Sequence, residues 1–314
     1  MGHKMIESKL PRLAMSLLVR DEADIVIENI LYHVDQGVSY FVVTDNGSVD
    51  GTREALEKLK TDINLHIIDE PSQTIDQDIW VTRMALWLYE NTDAEWVINN
   101  DADEFWITEE ESLPDALFGD LDETDKSDIG VLYCSRFNYL PSDKDLSNPD
   151  YRFYNNTIKV IGDLDPPNGS PSDNVLITLQ GEKVISRLDG LKRIGMGNHN
   201  AVHDACSSRS KHITIAHYPL RSYQQFKSKV VNHGSSICSN SRFGPGINWH
   251  LRGWYDCYKR GVLRAEYDKY VVNTRLQELL LNDGVIIRDY SLLKRLQKFD
   301  QYPVPQIRQE QITS

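Results

Sequence analysis

The sequence predicts an α/β fold, with a mostly parallel central sheet flanked by helices and a helical region towards the C-terminus. Over residues 10–110, short apolar runs of strand length alternate with longer stretches in which apolar residues recur at helical spacing. Strands that alternate with helices are typical of βαβ units, in which right-handed crossovers join parallel strands. From Trp249 onward the periodic segments are helical only, which predicts helices that close the fold.

The first of four predicted strands is a nearly continuous apolar run, as expected of a strand that is buried on both faces. The four strands read LAMSLLV, YFVVT, LHIID and EWVINND. The helices predicted between them are DIVIENILYHVDQG, REALEKLK and DQDIWVTRMALWLYEN. In the first helix, Asp24 is the predicted N-cap and Gly37 the predicted C-terminal glycine. Later in the chain, GVLYCSRFNYL and HITIAHY read as strands, and SYQQFKSKVVNH reads as a helix.

Residues 141–174 interrupt this pattern, because they are rich in Asp, Asn, Pro, Gly and Ser. Such a composition predicts a long loop or an insertion. Long loops in compact enzymes often shape a binding site. We therefore expect this segment to contribute to a substrate site.

The composition restricts the partners and the cellular setting. A formal net charge of -13 over 314 residues would repel a polyanion, so we expect no nucleic-acid partner. The four cysteines form no CxxC pair and no zinc spacing, as is usual in a reducing cytosol. The sequence has no apolar secretory core and no apolar run long enough to cross a bilayer. We expect a cytoplasmic protein, and peripheral contact with the inner face of the membrane stays open.

Two carboxylates directly after the fourth predicted strand are the main candidate site. Asp101 and Asp103 belong to the segment DADEFW, and ligands of parallel sheets collect at the carboxyl ends of the strands. In an extended segment, residues two apart project to the same side, so both side chains would point into one cleft. Converging carboxylates repel each other unless a cation such as Mn2+ or Mg2+ lies between them. A solvated acidic turn without a ligand is the alternative.

The turn VVTDNGSVDGT is the second candidate. Asp45 ends the second predicted strand, where a carboxylate can accept hydrogen bonds from a nucleobase or a ribose. A well-capped turn between a strand and a helix, without any ligand, explains the same residues equally well. The turn alone therefore leaves both interpretations open.

Together these motifs resemble glycosyltransferases of the GT-A fold, in particular family 2 and the bacterial enzymes related to family 92. The resemblance is carried by RDEADIVIENILYHVDQGVSYFVVTDNGSVDGT, NNDADEFW, GMGNHN and AHYPLRSYQQFKSKV, in the expected order between Arg20 and Lys229. It implies a GT-A (Rossmann-like) domain over residues 10–235, with a nucleotide-binding half in 1–110 and an acceptor half in 111–235. Residues 236–314 would form a helical extension packed on it.

The resemblance also implies roles for single residues. Asp45 would contact the nucleotide of a sugar donor, and Asp101 and Asp103 would form the metal-binding DxD motif. Arg20 and Glu22 would lie beside the base and the ribose. This chain departs from the pattern at one position, because it has Asp21 where many relatives have Asn. The substitution adds negative charge near the nucleotide.

A histidine and two basic residues complete the donor site that the resemblance implies. His217 would be a further metal ligand, and a core histidine bonded to the backbone is the alternative. Arg221 and Lys229 follow on a predicted helix, eight residues apart and therefore in helical phase. Both could meet the diphosphate as a charge-assisted clamp on the leaving group.

His199 and Asp204, in the glycine-rich segment GMGNHNAVHDA, are the candidates for the catalytic base. An inverting transferase needs such a base to take the proton of the acceptor hydroxyl. Polar residues of a flexible loop that face water would look the same in the sequence.

The function implied is that of a metal-dependent hexosyltransferase. It would move a sugar from a nucleotide-diphosphate sugar, a UDP-sugar first of all, to a hydroxyl of a glycan or lipid-linked acceptor. The expected outcome at the sugar carbon is inversion, and the expected setting is the synthesis of surface polysaccharide or lipopolysaccharide. The alternative is a catalytically silent sugar- or protein-binding module on the same scaffold.

Overall fold

The computed structural model describes residues 10–72, 76–122, 128–163, 175–239, 244 and 248–299. The strands of this part are β1 (Leu13–Val19), β2 (Val38–Asp45), β3 (Leu65–Asp69), β4 (Trp96–Asp101), β5 (Glu104–Thr108), β6 (Ile129–Leu140), β7 (Ile158–Val160), β8 (Lys183–Arg187), β9 (Leu191–Ile194), β10 (Ala201–His203), β11 (Cys206–His217) and β12 (Ile286–Arg288). The α-helices are α1 (Val26–Asp35), α2 (Thr52–Leu59), α3 (Gln77–Asn91), α4 (Leu113–Asp122), α5 (Asp143–Leu146), α6 (Tyr223–Ser239), α7 (Trp249–Lys259), α8 (Leu263–Asp268), α9 (Thr274–Asn282) and α10 (Ser291–Leu296).

The predicted α/β class, with a mostly parallel central sheet flanked by helices, is confirmed. The main sheet has the order β12-β7-β6-β8-β4-β1-β2-β3. Outside this order, β11 pairs with β6 on one side and with β5 on the other. Among the described strands of this sheet, β5, β7 and β8 run against the rest. Because β1 is parallel to β2 and β4, the carboxyl ends of these three strands meet at one edge.

The central strand β1 is buried on both faces, as its apolar run predicts. Leu13, Met15 and Leu17 pack in the same core as α1, whereas Ala14 packs in a separate core with α3. Full burial of a side chain such as Leu stabilises the fold by about 1.5–3 kcal/mol. Helices on both faces therefore fix β1 and the segment that follows it.

The start of α1 differs from the prediction. Asp24 is not its N-cap, because α1 begins at Val26 and its N-cap residue Ile25 makes no side-chain cap bond. The Asp24 carboxylate instead accepts a hydrogen bond from Nε of Arg221 at 2.7 Å. A buried guanidinium is a stronger partner than the backbone amides of a helix N-terminus. The predicted glycine beyond the helix end is confirmed, since Gly37 has a φ of 91°.

The C-terminal helices form a second apolar core with α6. Phe226, Val230 and Ile237 of α6 pack there with residues of α7, α8 and α9 and with β7 and β12. Helix α6 thus runs through residue 235, where the sequence predicts the end of the main domain. The division into two domains stays a prediction.

The segment 141–174 contains more regular structure than a loop. It includes α5, a short 3-10 helix at Phe153–Asn155 and β7, while residues 164–174 lie outside the described part. Within the described part of the chain, no helix is long and apolar enough to cross a membrane.

Buried amides fix the turn after β4 to α1. Nδ2 of Asn29 donates to the backbone oxygens of Ala102 at 2.9 Å and of Glu104 at 2.7 Å. Nδ2 of Asn100 donates to Oδ1 of Asn29 at 3.1 Å, and Oδ1 of Asn100 accepts from Nε1 of Trp106 at 2.8 Å. All of these groups are out of water, so a missing partner costs the full desolvation of the group left behind.

We expect Asn29→Ala to lower the free energy of unfolding by about 2–4 kcal/mol, because two buried carbonyl oxygens lose their donor. Urea unfolding followed by tryptophan fluorescence measures the change. Asn91→Ala, at an exposed position of α3, is the matched control and should stay within about 0.5 kcal/mol. Equal effects of the two substitutions would show that the turn does not depend on Asn29.

Candidate functional site

The two predicted metal ligands lie at either end of a tight turn. Asp101 is the last residue of β4, and β5 begins at Glu104, so Ala102 and Asp103 form the turn between them. The sequence interpretation assumed an extended chain through this segment, and the turn shows that this assumption is wrong. Both carboxylates nevertheless line the same cavity.

The cavity has a volume of about 300 Å³ and opens where β1 and β4 end. Apolar residues of α6 and α7, such as Phe226 and Trp254, form part of its wall. The ionisable residues that line it are Arg20, Glu22, Asp101, Asp103, Arg136, Lys183, His199, His217, Lys229, His233 and His250. A pocket of mixed apolar wall and convergent polar groups is typical of a small-molecule site.

Asp103 is surrounded by cationic and imidazole groups. Its side chain is 5% exposed, and its Oδ2 accepts a hydrogen bond from Nζ of Lys229 at 2.8 Å. Nε2 of His217 lies 3.6 Å from the same oxygen, and Nη1 of Arg221 lies 3.9 Å from it. Burial alone would raise the pKa of Asp103, but Lys229 and His217 hold this pKa well below its ordinary value. Asp103 is therefore ionised at neutral pH.

His217 lies where the sequence places it, at the end of β11. Burial lowers the pKa of His217, although Asp103 opposes the shift, so the ring is neutral at pH 7. Nδ1 of the ring is 2.7 Å from Oδ1 of Asn138. The imidazole is thus held between an amide and a carboxylate, in an orientation suited to a hydrogen bond.

Asp101 has a lysine as its partner. Its side chain is 31% exposed, and its Oδ2 accepts a hydrogen bond from Nζ of Lys183 at 2.6 Å. The same ammonium lies 3.0 Å from Oε1 of Glu104, to which Nη1 of Arg136 donates at 2.8 Å. Burial would raise the pKa of Glu104, but Lys183 and Arg136 lower it to about 2. One fully buried carboxylate thus anchors two cations that line the cavity.

Glu22 lines the cavity, and the buried side chain of Arg221 is its partner. Arg221 forms ion pairs with Glu22 and with Asp24, and its own side chain is 2% exposed. Burial raises the pKa of Glu22 to about 7, even though Arg221 opposes the shift. Arg221 does not line the cavity, so the structure does not bring its guanidinium to the place that the sequence predicts.

Asp21, the departure from the family pattern, joins three parts of the fold. It has a φ of 56°, a conformation that Asp and Asn adopt more readily than other side chains. Its carboxylate accepts hydrogen bonds from the backbone N–H of Val49 at 2.8 Å and from Nδ2 of Asn232 at 2.7 Å. The neighbouring Arg20 and Glu22 both line the cavity, and their contact with a nucleotide stays a prediction.

Asp45 ends β2 but does not line the cavity. Its side chain is buried and accepts a hydrogen bond from the backbone N–H of Ser48 at 3.0 Å. The next residue, Asn46, does line the cavity. The predicted contact between Asp45 and a nucleotide stays a prediction.

The two candidates for the catalytic base lie in different places. His199 lines the cavity, and its Nδ1 is 2.7 Å from the backbone oxygen of Glu182. Burial and, after it, the charge of Lys183 lower the pKa of His199. Asp204 is 65% exposed, pairs with Lys192 at 2.6 Å and does not line the cavity.

Among the ionisable lining residues, the sequence interpretation assigns no role to Arg136, Lys183, His233 or His250. Arg136 stands within the largely apolar strand β6, which is a signal that could have pointed to it, whereas Lys183 begins the mixed strand β8 and gives no such signal. Burial lowers the pKa of both His233 and His250 to about 4, with the charge of Lys229 as the next cause. These imidazoles are therefore neutral at pH 7.

The residues predicted to hold Mn2+ or Mg2+ do not fit a metal ion as they are placed. Within the described ranges, no group of three or more His, Cys, Asp or Glu side chains could hold one. Asp101 and Asp103 each have an ammonium in hydrogen-bond contact, at the position where a cation would bind. A divalent ion prefers several carboxylate or carbonyl oxygens around it. The metal and its ligands Asp101, Asp103 and His217 stay a prediction.

No protein-family model and no curated protein matches the chain. Among solved structures it is similar to TarS of S. aureus, with a TM-score of 0.37 and 12% identity, over 82% of this chain and 70% of that one. The crystal structure of that protein in complex with UDP gives 0.36 and 13%, over 79% and 72%. Its complex with UDP-GlcNAc gives 0.35 and 13%, over 82% and 72%. The function proposed below rests on the cavity rather than on this likeness.

We expect Glu104→Gln to lower the free energy of unfolding by about 3 kcal/mol at pH 7, because Lys183 and Arg136 lose their buried counter-charge. The folded-state pKa of Glu104 lies below the unfolded value, so its contribution is complete above about pH 5 and is lost as the pH falls towards about 2. Urea unfolding at several pH values measures this difference from wild type.

The control for this comparison is Glu109→Gln, at an exposed position five residues further along the chain. It should change stability by no more than about 0.5 kcal/mol. A difference between wild type and Glu104→Gln that does not shrink on acidification would contradict the ion-pair assignment.

Proposed function

We propose that this protein is a glycosyltransferase that moves a sugar from a nucleotide-diphosphate sugar to a hydroxyl group of a glycan or lipid-linked acceptor. A UDP-sugar is the first candidate donor. The observation that carries the proposal is a single cavity at the carboxyl ends of β1 and β4, lined by Asp101, Asp103, Glu22, Arg20 and Lys229. Nucleotide ligands of open α/β sheets bind at this edge.

The chemistry of the leaving group matches the cations of the cavity. When the bond between the sugar C1 and the diphosphate oxygen breaks, negative charge grows on the diphosphate and the sugar gains oxocarbenium character. Arg20 and Lys229 line the cavity and can stabilise the departing charge. Donors fixed before the reaction are effective because they need no reorganisation when the charge develops.

On the acceptor side, a hydroxyl oxygen attacks C1 from the face opposite the diphosphate, and inversion follows. A base takes the hydroxyl proton. We propose His199 for this role, because it lines the cavity and its ring is neutral at pH 7. With Nδ1 donating to the Glu182 oxygen, Nε2 carries the lone pair that accepts the proton. Asp204 remains the second candidate.

A silent binding module on the same scaffold is the second candidate function. The observation in its favour is that Lys183 and Lys229 already neutralise both aspartates. The two functions differ in turnover, because a transferase slowly hydrolyses its donor when water replaces the acceptor, whereas a binding module does not. The proposed cellular setting for the enzyme is the cytoplasm or the inner face of the membrane.

Asp103→Asn should reduce the hydrolysis of the accepted donor by about 100-fold or more, because the neutral amide no longer fixes Lys229 at the leaving group. The measurement is UDP release from a panel that contains UDP-glucose, UDP-galactose and UDP-GlcNAc. Circular dichroism and the melting temperature show whether the variant is folded.

Asp62→Asn, at an exposed position that does not line the cavity, is the control and should keep the wild-type rate. Undiminished UDP release by a folded Asp103→Asn variant would contradict the proposed site. Wild-type protein that releases UDP from no sugar of the panel would favour the silent binding module.

A further inference from the structure

We propose that this cavity binds the diphosphate of a nucleotide directly on its own lysine and arginine side chains, so that binding requires no divalent metal ion. The inference rests on the proposed function and deepens it, since it names the groups that hold the donor. The ligand class is a nucleoside diphosphate. Lys183, Lys229 and Arg136 are the residues assigned to it.

The two aspartates that would hold a metal each hold an ammonium group instead. Nζ of Lys183 is 2.6 Å from Asp101, and Nζ of Lys229 is 2.8 Å from Asp103. Each pair removes the repulsion that two neighbouring carboxylates would otherwise feel. The divalent ion is therefore not needed to keep the turn together.

These cations retain donors for a ligand. An ammonium group has three N–H donors. Lys183 donates to Asp101 and forms an ion pair with Glu104, and Lys229 donates to Asp103, so among the described residues each retains at least one donor while lining the cavity. The Arg136 side chain is nine-tenths buried and lines the cavity, and its Nε has no hydrogen-bond partner among the described residues. A diphosphate oxygen is a suitable acceptor for each of these groups.

The carboxylates fix these cations in place. Lys183 has 1% of its side chain exposed, and it is tied to Asp101 at the turn and to Glu104 in the core. Lys229 is tied to Asp103, whose backbone oxygen accepts a hydrogen bond from the N–H of Tyr218 at 2.8 Å. A clamp that is rigid before the ligand binds loses little side-chain entropy on binding.

A metal ion at the turn would have to displace these cations. It would take the carboxylate oxygens of Asp101 and Asp103, leaving Lys229 without its carboxylate partner and Lys183 with Glu104 alone. Leaving a buried charge unpaired is strongly unfavourable in proteins. Since the described residues also offer no third His, Cys, Asp or Glu ligand, the lysine arrangement is the more stable one.

The experiment is isothermal titration of UDP into the full chain, once in EDTA and once in Mn2+. We expect a dissociation constant that differs by less than about threefold between the two buffers. Binding that appears only with Mn2+, or that is more than about tenfold tighter with it, would overturn the inference and leave the proposed function standing. Binding in neither buffer would overturn both.

Matched variants show which cationic side chains bind UDP. Lys229→Met should weaken UDP binding in EDTA by about tenfold or more, as expected for the loss of a charge-assisted hydrogen bond. Lys227→Met, on the same helix but not lining the cavity, should bind as wild type does. Lys229→Arg should restore much of the affinity, because it returns a cationic donor.

Arg136→Gln repeats the test at a second position if Lys229→Met does not fold, as judged from its melting temperature. It should also weaken UDP binding in EDTA, by about tenfold. A folded variant at either position that binds UDP as tightly as wild type would overturn the assignment.

Discussion

Asp101, Asp103 and Glu104 lie within four residues of each other, and the last two are buried. A carboxylate that leaves water needs a cation or several donors beside it, or it takes up a proton. In this protein Lys183, Lys229 and Arg136 reach the turn from three different elements. The elements β6, β8 and α6 each supply one of the cations that compensate these charges, and the three cations line the cavity.

Strand β8 shows how the fold meets that requirement. It lies antiparallel between β4 and β6, and Ile98 of β4 pairs with Ile185. Lys183, two residues before Ile185, therefore lies alongside the end of β4 where Asp101 begins the turn. On the other side, α6 follows β11 and brings Lys229 to Asp103. The side-chain amide of Asn29 donates to the backbone of the turn, and the side chains of Asp101 and Asp103 line the cavity.

The local features of the sequence predict the parallel half of the sheet well, and the long-range features less well. β1, β2 and β4 are read directly from their apolar runs, because a strand covered on both faces is rich in apolar residues. β3 is read from the shorter run LHIID, although it ends the strand order and is only partly buried. β5 and β8 are absent from the prediction, since the short EFWIT and the mixed KVISR have no clear period. Asp24 looks like a helix cap in the sequence, and only the fold brings Arg221 to it across the chain.

The same limit applies to the site. Arg20, Glu22, Asp101 and Asp103 follow strand ends, so the rule for parallel sheets predicts their shared location. Lys183 lies on a strand far along the chain, and no periodicity in the sequence predicts its contact with Asp101. Two neighbouring carboxylates whose counter-charges are not visible in the sequence predict a metal ion, and that ion stays a prediction. The positions of Lys183 and Lys229 beside the carboxylates depend on the tertiary fold.

A crystal structure of the protein grown with UDP and Mn2+, with anomalous data at the manganese edge, would show whether lysine side chains or a metal ion hold the diphosphate. We expect diphosphate oxygens within hydrogen-bond distance of Nζ of Lys183 and of Lys229, and no anomalous peak between Asp101 and Asp103. A manganese peak bound to both aspartates, with the two ammonium groups displaced, would contradict this expectation.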